Sequence, residues 1–205
     1  MKKTVLTLAM LFTFANSGGC ILEQSNDLKI TWTAYKTSAK IGVKGNFTEF
    51  KYRPNSKEGK NFRELLVGST VDINITKIDT KNRDRDNTIS KMFFKKLKSP
   101  IIEGKIIDIK ADKRVPKQPR SGILDVLITM NQKSLTIPMK YSYKKEIFSA
   151  IGTIDIFDFE AKEALSSINR SCYDLHKGKT WSDVTIKFTT NIKATLCNTD
   201  IKKSE

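Results

Sequence analysis

The chain has 205 residues, which fits one domain more easily than two. Hydrophobic residues make up 39% of it, enough to bury a core, so a chain without a folded domain is excluded. Basic residues outnumber acidic ones by 37 to 22, and the formal net charge is +15. Such a charge is compatible with an anionic partner or with a merely soluble, high-pI surface.

The first twenty residues follow the pattern of an export signal. Lys2 and Lys3 precede an apolar stretch, residues 5–15, that is too short to span a bilayer. Small residues around Ser17 predict cleavage after it, so residues 1–17 would form the signal peptide. The alternative of a lipoprotein, in which residues 1–19 are removed and Cys20 is lipidated, stays open.

Beyond the signal, apolar and polar residues alternate with a period of two, which is typical of β-strands with one buried face. Many such rows joined by short polar segments favour an antiparallel barrel or sandwich. The rows occupy residues 28–34, 41–47, 71–75, 124–130, 135–141, 150–156 and 184–196.

The connections between the rows have the composition of turns and loops. Asn131-Gln132-Lys133 is predicted to be a hairpin turn, residues 110–122 a long basic hairpin loop, and residues 53–61 a second basic loop. The tail, residues 198–205, is polar. These segments place the excess of basic residues mainly on loops.

Two segments follow helical spacing instead. One apolar stripe runs from Ala161 to Cys172, with Asp158 and Glu160 suited to the start of the helix. The other is a single turn around residues 62–66. We therefore expect a protein that is almost entirely β-sheet.

Residues with the chemistry of an enzyme are scarce. The single histidine, His176, lies in a polar connection, and no metal or nucleotide motif occurs. Asp84 and Asp86 each have an arginine beside them, so charge pairing, and helix capping by Asp86 or Asn87, explain them better than metal binding. Asn74 matches a glycosylation pattern, but inside a predicted strand. The sequence predicts no enzyme and no metal site.

The basic residues also lack the footprint of a nucleic-acid-binding protein, because they are spread over loops and are not interleaved with aromatic side chains on one face. We therefore expect no nucleic-acid partner. Contact with an anionic membrane surface remains the partner that the charge favours.

A run of residues around positions 80–94 resembles a motif of the YceI-like family of bacterial periplasmic proteins. Residues 32–47, 123–143 and 180–194 are similar to the first hairpin, the middle hairpin and the last strand of that family, so the resemblance covers residues 27–196. The motif residues are Thr80, Asn82, Arg85, Asp86, Ile89, Phe93 and Phe94.

The resemblance implies a periplasmic, all-β protein: a lipocalin-like antiparallel barrel of about eight strands with one or two short helices. It also implies a long apolar lipid inside the barrel, a polyisoprenoid or in some cases a quinone, and we expect no cofactor apart from such a lipid. Arg85 and Asp86 would cap and pin the short helix that carries Phe93 and Phe94, whose rings would close part of the barrel. Phe94 is expected to be the more structural ring, because adjacent helix positions cannot face one cavity.

The inward-facing apolar residues are the candidate ligand contacts. Each of them either touches a ligand or only fills the core, depending on whether the barrel is too wide for its side chains. The candidates are Trp32, Val43, Phe47, Phe93, Phe94, Val126, Ile128, Phe148, Ile154 and Phe188.

Three cysteines permit one disulfide. First and last strands pair in a closed barrel, so we expect a Cys20–Cys197 bridge, with Cys172 a buried free thiol, if Cys20 is not lipidated.

The function expected is an exported, non-enzymatic lipid-binding barrel. The alternative is a basic module for anionic envelope surfaces, with a filled barrel and no internal ligand. The sequence makes no prediction of the oligomeric state.

Overall fold

A computed structural model describes residues 21–195, apart from the side chain of His176. Cys20, Cys197, the signal segment and the tail lie outside this range. The strands are β1 Ile21–Lys36, β2 Ile41–Phe47, β3 Phe50–Arg53, β4 Glu58–Gly59, β5 Thr70–Asn74, β6 Ile78–Asp79, β7 Ile101–Ala111, β8 Arg120–Met130, β9 Lys133–Lys144, β10 Ile147–Asp155 and β11 Thr180–Thr195. The helices are α1 Phe62–Leu66, α2 Arg83–Met92, α3 Lys162–Ser171 and α4 Tyr173–His176, with 3₁₀ turns at Phe94–Lys96 and Ile156–Phe159.

The strands form one antiparallel sheet in the order β3-β5-β7-β8-β9-β10-β11-β1-β2-β6, curled into a half-barrel, and β4 adds a short pair to β1. The all-β antiparallel prediction is confirmed. Within the described range, eight strands have five residues or more, as expected, but the short helices exceed the one or two anticipated. The first strand pairs with the last along most of its length, as a barrel requires.

The two ends of the sheet approach each other through the chain itself. β2 leads directly into β3, and this stretch pairs with β6 and then with β5. Phe47 pairs with Ile78, the Thr48 N–H donates to Lys77 O at 2.9 Å, and Phe50 pairs with Ile73. The chain therefore brings the edges of the curled sheet together and leaves an enclosed interior.

β7 was absent from the predicted rows, and a β-bulge explains why. The register with β8 shifts between Ile106 and Asp108, so Ile106 and Ile109 both point inward while Ile107 is 38% exposed. An extra residue breaks the period of two, and the alternation is then no longer visible in the sequence.

The predicted hairpin at residues 131–133 is present, but it is one residue shorter. Asn131 and Gln132 alone form the turn, with φ of 53° and 65°, and Lys133 already begins β9. Positive φ at both positions is the conformation of a tight hairpin turn, which asparagine tolerates. The buried Asn131 side chain also accepts from the Lys98 N–H at 2.8 Å and donates to Phe159 O at 2.9 Å.

The helix predicted near residues 161–172 is confirmed as α3, but its start differs. Asp158 lies in the preceding 3₁₀ turn, and Glu160 is left-handed with φ of 56° and ion-pairs with Lys133 at 2.8 Å. Neither carboxylate therefore lies in the first turn of α3, whose N-cap is Ala161.

The interior has two unequal ends. At the first, which we call the closed end, α1 inserts Phe62 against the aromatic residues of β9 and β10. The Phe62 ring centroid is 5.3 Å from that of Phe148, which stacks on Tyr141 at 5.2 Å. At the opposite end, α2 and α3 pack against each other over the barrel.

Asn131→Ala should destabilise the protein by about 1–3 kcal/mol, because it leaves the buried Phe159 carbonyl without its donor, and it also removes the acceptor of the Lys98 N–H. Urea unfolding measures this, with Gln132→Ala as the matched control: it also has positive φ, but its side chain is exposed. Equal losses in the two variants would show that the backbone conformation, and not the Asn131 side chain, carries the effect.

Candidate ligand cavity

A cavity of about 540 Å³ occupies the end of the barrel opposite α1. Its wall is formed by strands on all sides, with α2 and α3 above it, and most of the lining residues are apolar. Nine of the ten candidate contacts predicted from the sequence lie on this wall. They are Trp32, Val43, Phe47, Phe93, Phe94, Val126, Ile128, Ile154 and Phe188.

Phe148 is the correction to that list. Its side chain is completely buried, but among Phe62, Tyr141 and Phe188 at the closed end, and it does not line the cavity. The alternating pattern correctly indicates that Phe148 points inward. It says nothing about the position along the barrel axis, which decides between core and cavity.

The list of candidate contacts omitted a second set of cavity residues, which lie on β5, β7 and α3. The row at residues 71–75 was predicted, but none of its residues was named as a contact. The signal for α3 was available, since its apolar stripe was recognised, but only packing shows that the stripe faces the cavity. The missed set includes Ile73, Ile102, Ile106, Leu165 and Ile168.

Trp32 owes its position on the wall to Gly45 on the neighbouring strand. The two residues are paired across β1 and β2, and a Cβ at position 45 would overlap the indole ring. Glycine therefore lets the ring lie against β2. The buried indole N–H of Trp32 has no hydrogen-bond partner among the described residues.

The charged run before the aromatic pair forms a hydrogen-bonded anchor around Thr80. The hydroxyl and the N–H of Thr80 donate to Asp86 Oδ1 at 2.6 and 3.0 Å. Arg85 donates from Nε to the Thr80 hydroxyl at 2.9 Å and from Nη2 to Thr80 O at 2.6 Å. The start of α2 is thus fixed to the segment after β6.

The N-cap of α2 is Asn82, so the expectation of a cap at Asp86 or Asn87 is wrong. The Asn82 side chain accepts from the Arg85 N–H at 2.9 Å, while Asp86 lies inside the first turns of the helix. Asparagine is a favoured N-cap because its short side chain satisfies a backbone donor that has no partner in the helix.

Phe93 and Phe94 both line the cavity, contrary to the expectation that adjacent positions could not. α2 ends at Met92, so the two rings are not on consecutive positions of one regular helix. They meet edge to face at 5.3 Å, and Phe94 is 6.2 Å from the Phe47 ring. Phe94 is buried and Phe93 half-buried, which makes Phe94 the more embedded ring.

Cys172 is a buried free thiol on the cavity wall. Burial raises its pKa because the thiolate would lose hydration, and the nearby Lys36 charge opposes that shift.

The expected Cys20–Cys197 bridge stays a prediction, since both residues lie outside the described range. The last described pair of the two strands is Ile21 with Thr195.

The described residues hold no group of three or more histidine, cysteine or acidic side chains arranged to bind a metal. None of the helices within residues 21–195 has the length and apolar character needed to cross a membrane.

The chain belongs to the YceI-like domain family, whose model matches residues 24–193. No curated protein is similar enough to match the chain. The resemblance in the motif around Thr80 and in the hairpins is therefore confirmed at the level of the family.

Solved structures show the same fold. Burkholderia cenocepacia BcnA is 12% identical, with a TM-score of 0.51 over 81% of this chain and 96% of that one. A polyisoprenoid binding domain from Saccharophagus degradans, implicated in plant cell wall breakdown, is 9% identical, with a TM-score of 0.52 over 86% and 99%. A mutant of the Campylobacter jejuni YceI protein is 19% identical, with a TM-score of 0.50 over 96% and 99%. At these identities the likeness supports the fold alone.

Asp86→Ala should lower the free energy of unfolding by about 1–3 kcal/mol, because it removes the charged acceptor of two donors on the buried Thr80. Urea unfolding is the measurement, and Asp84→Ala is the control, being an exposed carboxylate in the first turn of the same helix. A loss at Asp86 no larger than at Asp84 would mean that the helix dipole, and not the anchor, accounts for it.

Proposed function

We propose that this protein is an exported, non-enzymatic carrier that holds a long apolar lipid of polyisoprenoid type in its cavity. The observation that carries the proposal is the apolar cavity of about 540 Å³ inside the barrel. Its volume lies within the roughly 300–1,000 Å³ typical of small-molecule sites. A core that its own side chains could fill would leave no such space.

The wall favours a hydrocarbon chain over a polar ligand. Branched aliphatic and aromatic side chains from β1, β7, β8 and β11 surround the space. Burying about ten methylenes would contribute ~8 kcal/mol before the costs of association and chain ordering. Non-directional contacts of this kind suit a flexible prenyl chain, which offers surface and few hydrogen bonds.

The family supports the choice of a polyisoprenoid among apolar lipids. The Saccharophagus degradans domain with the same fold is described as polyisoprenoid-binding. A quinone with a prenyl tail would fit the same cavity. Its tail would contact the apolar wall, and its ring would lie near the polar residues at the start of α2. Among these, Asn82, Arg85 and Thr88 border the cavity.

The cavity argues against the alternative of a basic module with a filled barrel. Filling is observed only at the closed end, around Phe62 and Phe148. The export signal that the sequence predicts in residues 1–17 supports a periplasmic location, where a water-soluble shell would carry an apolar chain between membranes.

Organic extracts of the purified protein, analysed by mass spectrometry, should contain a prenyl lipid in near-stoichiometric amount. Val43→Trp with Val126→Trp should abolish it, because the added rings occupy the cavity. Lys44→Trp with Leu127→Trp adds the same rings on the opposite faces of the same strands and should leave it unchanged. A folded wild-type protein that yields no lipid and takes none up from prenyl-lipid micelles would refute the proposal.

The aromatic pair should divide its roles between stability and lipid retention. Phe94→Ala should cost about 3–5 kcal/mol of stability, as for a buried phenylalanine. Phe93→Ala should cost less but reduce the lipid retained per folded molecule, because this half-buried ring also faces the cavity. Urea midpoints and lipid content are measured on the same samples. Unchanged lipid content in Phe93→Ala would exclude a lid role for that ring.

A further inference from the structure

The cavity reaches the protein surface beside α4. Leu175 borders the cavity and is nevertheless 81% exposed, so the space opens there. Tyr173 on the same short helix is 64% exposed. Ile41, 53% exposed, begins β2 and is paired with Lys36, which in turn is paired with Thr180 of β11. Exposed apolar side chains thus border the opening from two elements.

Cations adjoin these apolar side chains: Lys36 is paired with Ile41, and Lys177 and Lys179 follow α4 in the chain. Lys36, Lys177 and Lys179 form no ion pair with any described residue, whereas Lys40 is bound to Asp183 at 2.7 Å. Asp174 is the exposed carboxylate of α4. The surface near the opening therefore combines unpaired positive charge with exposed hydrocarbon.

An aromatic residue strengthens this surface. The indole of Trp181 donates to Thr37 O at 2.7 Å, which fixes the ring against the turn that follows β1. The Lys179 ammonium lies 4.3 Å and the Lys40 ammonium 4.9 Å from the ring centroid. Tryptophan, tyrosine and lysine together are the side chains that suit the boundary between lipid headgroups and hydrocarbon.

We propose that this mouth face, formed by Ile41, Tyr173, Leu175, Lys36, Lys177 and Lys179, docks onto an anionic lipid bilayer. The proposal rests on the lipid-carrier function, because docking at the mouth lets an apolar chain move between bilayer and cavity without crossing water. The lysines bind the headgroup phosphates, and the apolar side chains enter the interface. Unpaired cations beside exposed apolar side chains fit an anionic membrane better than an acidic protein surface, because the acidic surface would offer no apolar contact for those side chains.

The β7–β8 loop supplies a matched control at the other end of the barrel. β7 borders the cavity with its first half, and β8 with its second half, so their connecting loop lies at the closed end. Lys113 and Lys117 are exposed there, and Val115 is the exposed apolar residue beside them. Each lysine pair contains one residue with positive φ, Lys117 in the loop and Lys177 at the mouth, and both pairs carry the same charge.

Sedimentation with phosphatidylcholine vesicles, with and without phosphatidylglycerol, tests the docking. The mature protein, without the predicted signal peptide of residues 1–17, should bind the phosphatidylglycerol vesicles, and binding should weaken with salt. Lys177→Gln with Lys179→Gln should weaken it roughly 20-fold at low salt, and Lys113→Gln with Lys117→Gln less than about 2-fold. Tyr173→Ser should weaken it, and Val115→Ser should not. Equal losses at both ends, or a larger loss in the loop variants, would overturn the proposal.

Lipid content separates this proposal from the function on which it rests. None of the four mouth and loop variants alters a residue that borders the cavity. Wild-type protein that contains prenyl lipid but binds vesicles through the loop, or not at all, overturns the docking alone. Wild-type protein that docks through the mouth but neither contains nor takes up lipid overturns the carrier function and leaves the docking face standing.

Discussion

The packing of α1 into one end of the barrel is the contact on which the rest of the interior depends. Phe62 fills that end against Phe148 and Tyr141, and Leu65 and Leu66 of the same helix are fully buried. The other helices lie over the opposite end and not inside it. The barrel therefore has a solid half that supplies stability and a hollow half that can hold a ligand, because no element is left to fill it.

The hollow half depends on a polar anchor for its cover. α2 buries no residue completely, so apolar packing alone would hold it weakly. The hydrogen bonds that Thr80 accepts from Arg85 and donates to Asp86 supply the missing constraint, and they fix the orientation in which Phe93 and Phe94 follow. This explains why charged residues stand so close to two phenylalanines in the sequence: Arg85 and Asp86 position the rings, and Arg85 itself borders the cavity at the start of α2.

The sequence predicted the inward faces well and the depth along the barrel poorly. Nine of ten candidate contacts lie on the cavity wall, because a period of two determines the face of a strand directly. Phe148 was wrongly predicted to line the cavity, because the alternating pattern is the same for an inward side chain that packs against α1 and for one that faces the cavity. β7 was missed because its bulge between Ile106 and Asp108 removes the periodicity.

The sequence by itself determined the antiparallel sheet, α3 and the tight turn at Asn131, since each follows from local periodicity or turn chemistry. The choice of a barrel, and with it the pairing of the first and last strands, came from the resemblance to the family. Only the tertiary structure decided where the interior is hollow and where it opens. Those features depend on how far α1 penetrates and on where α4 ends relative to Lys36 and Thr180, residues distant in sequence. Space is a property of the whole packing, and no single segment encodes it.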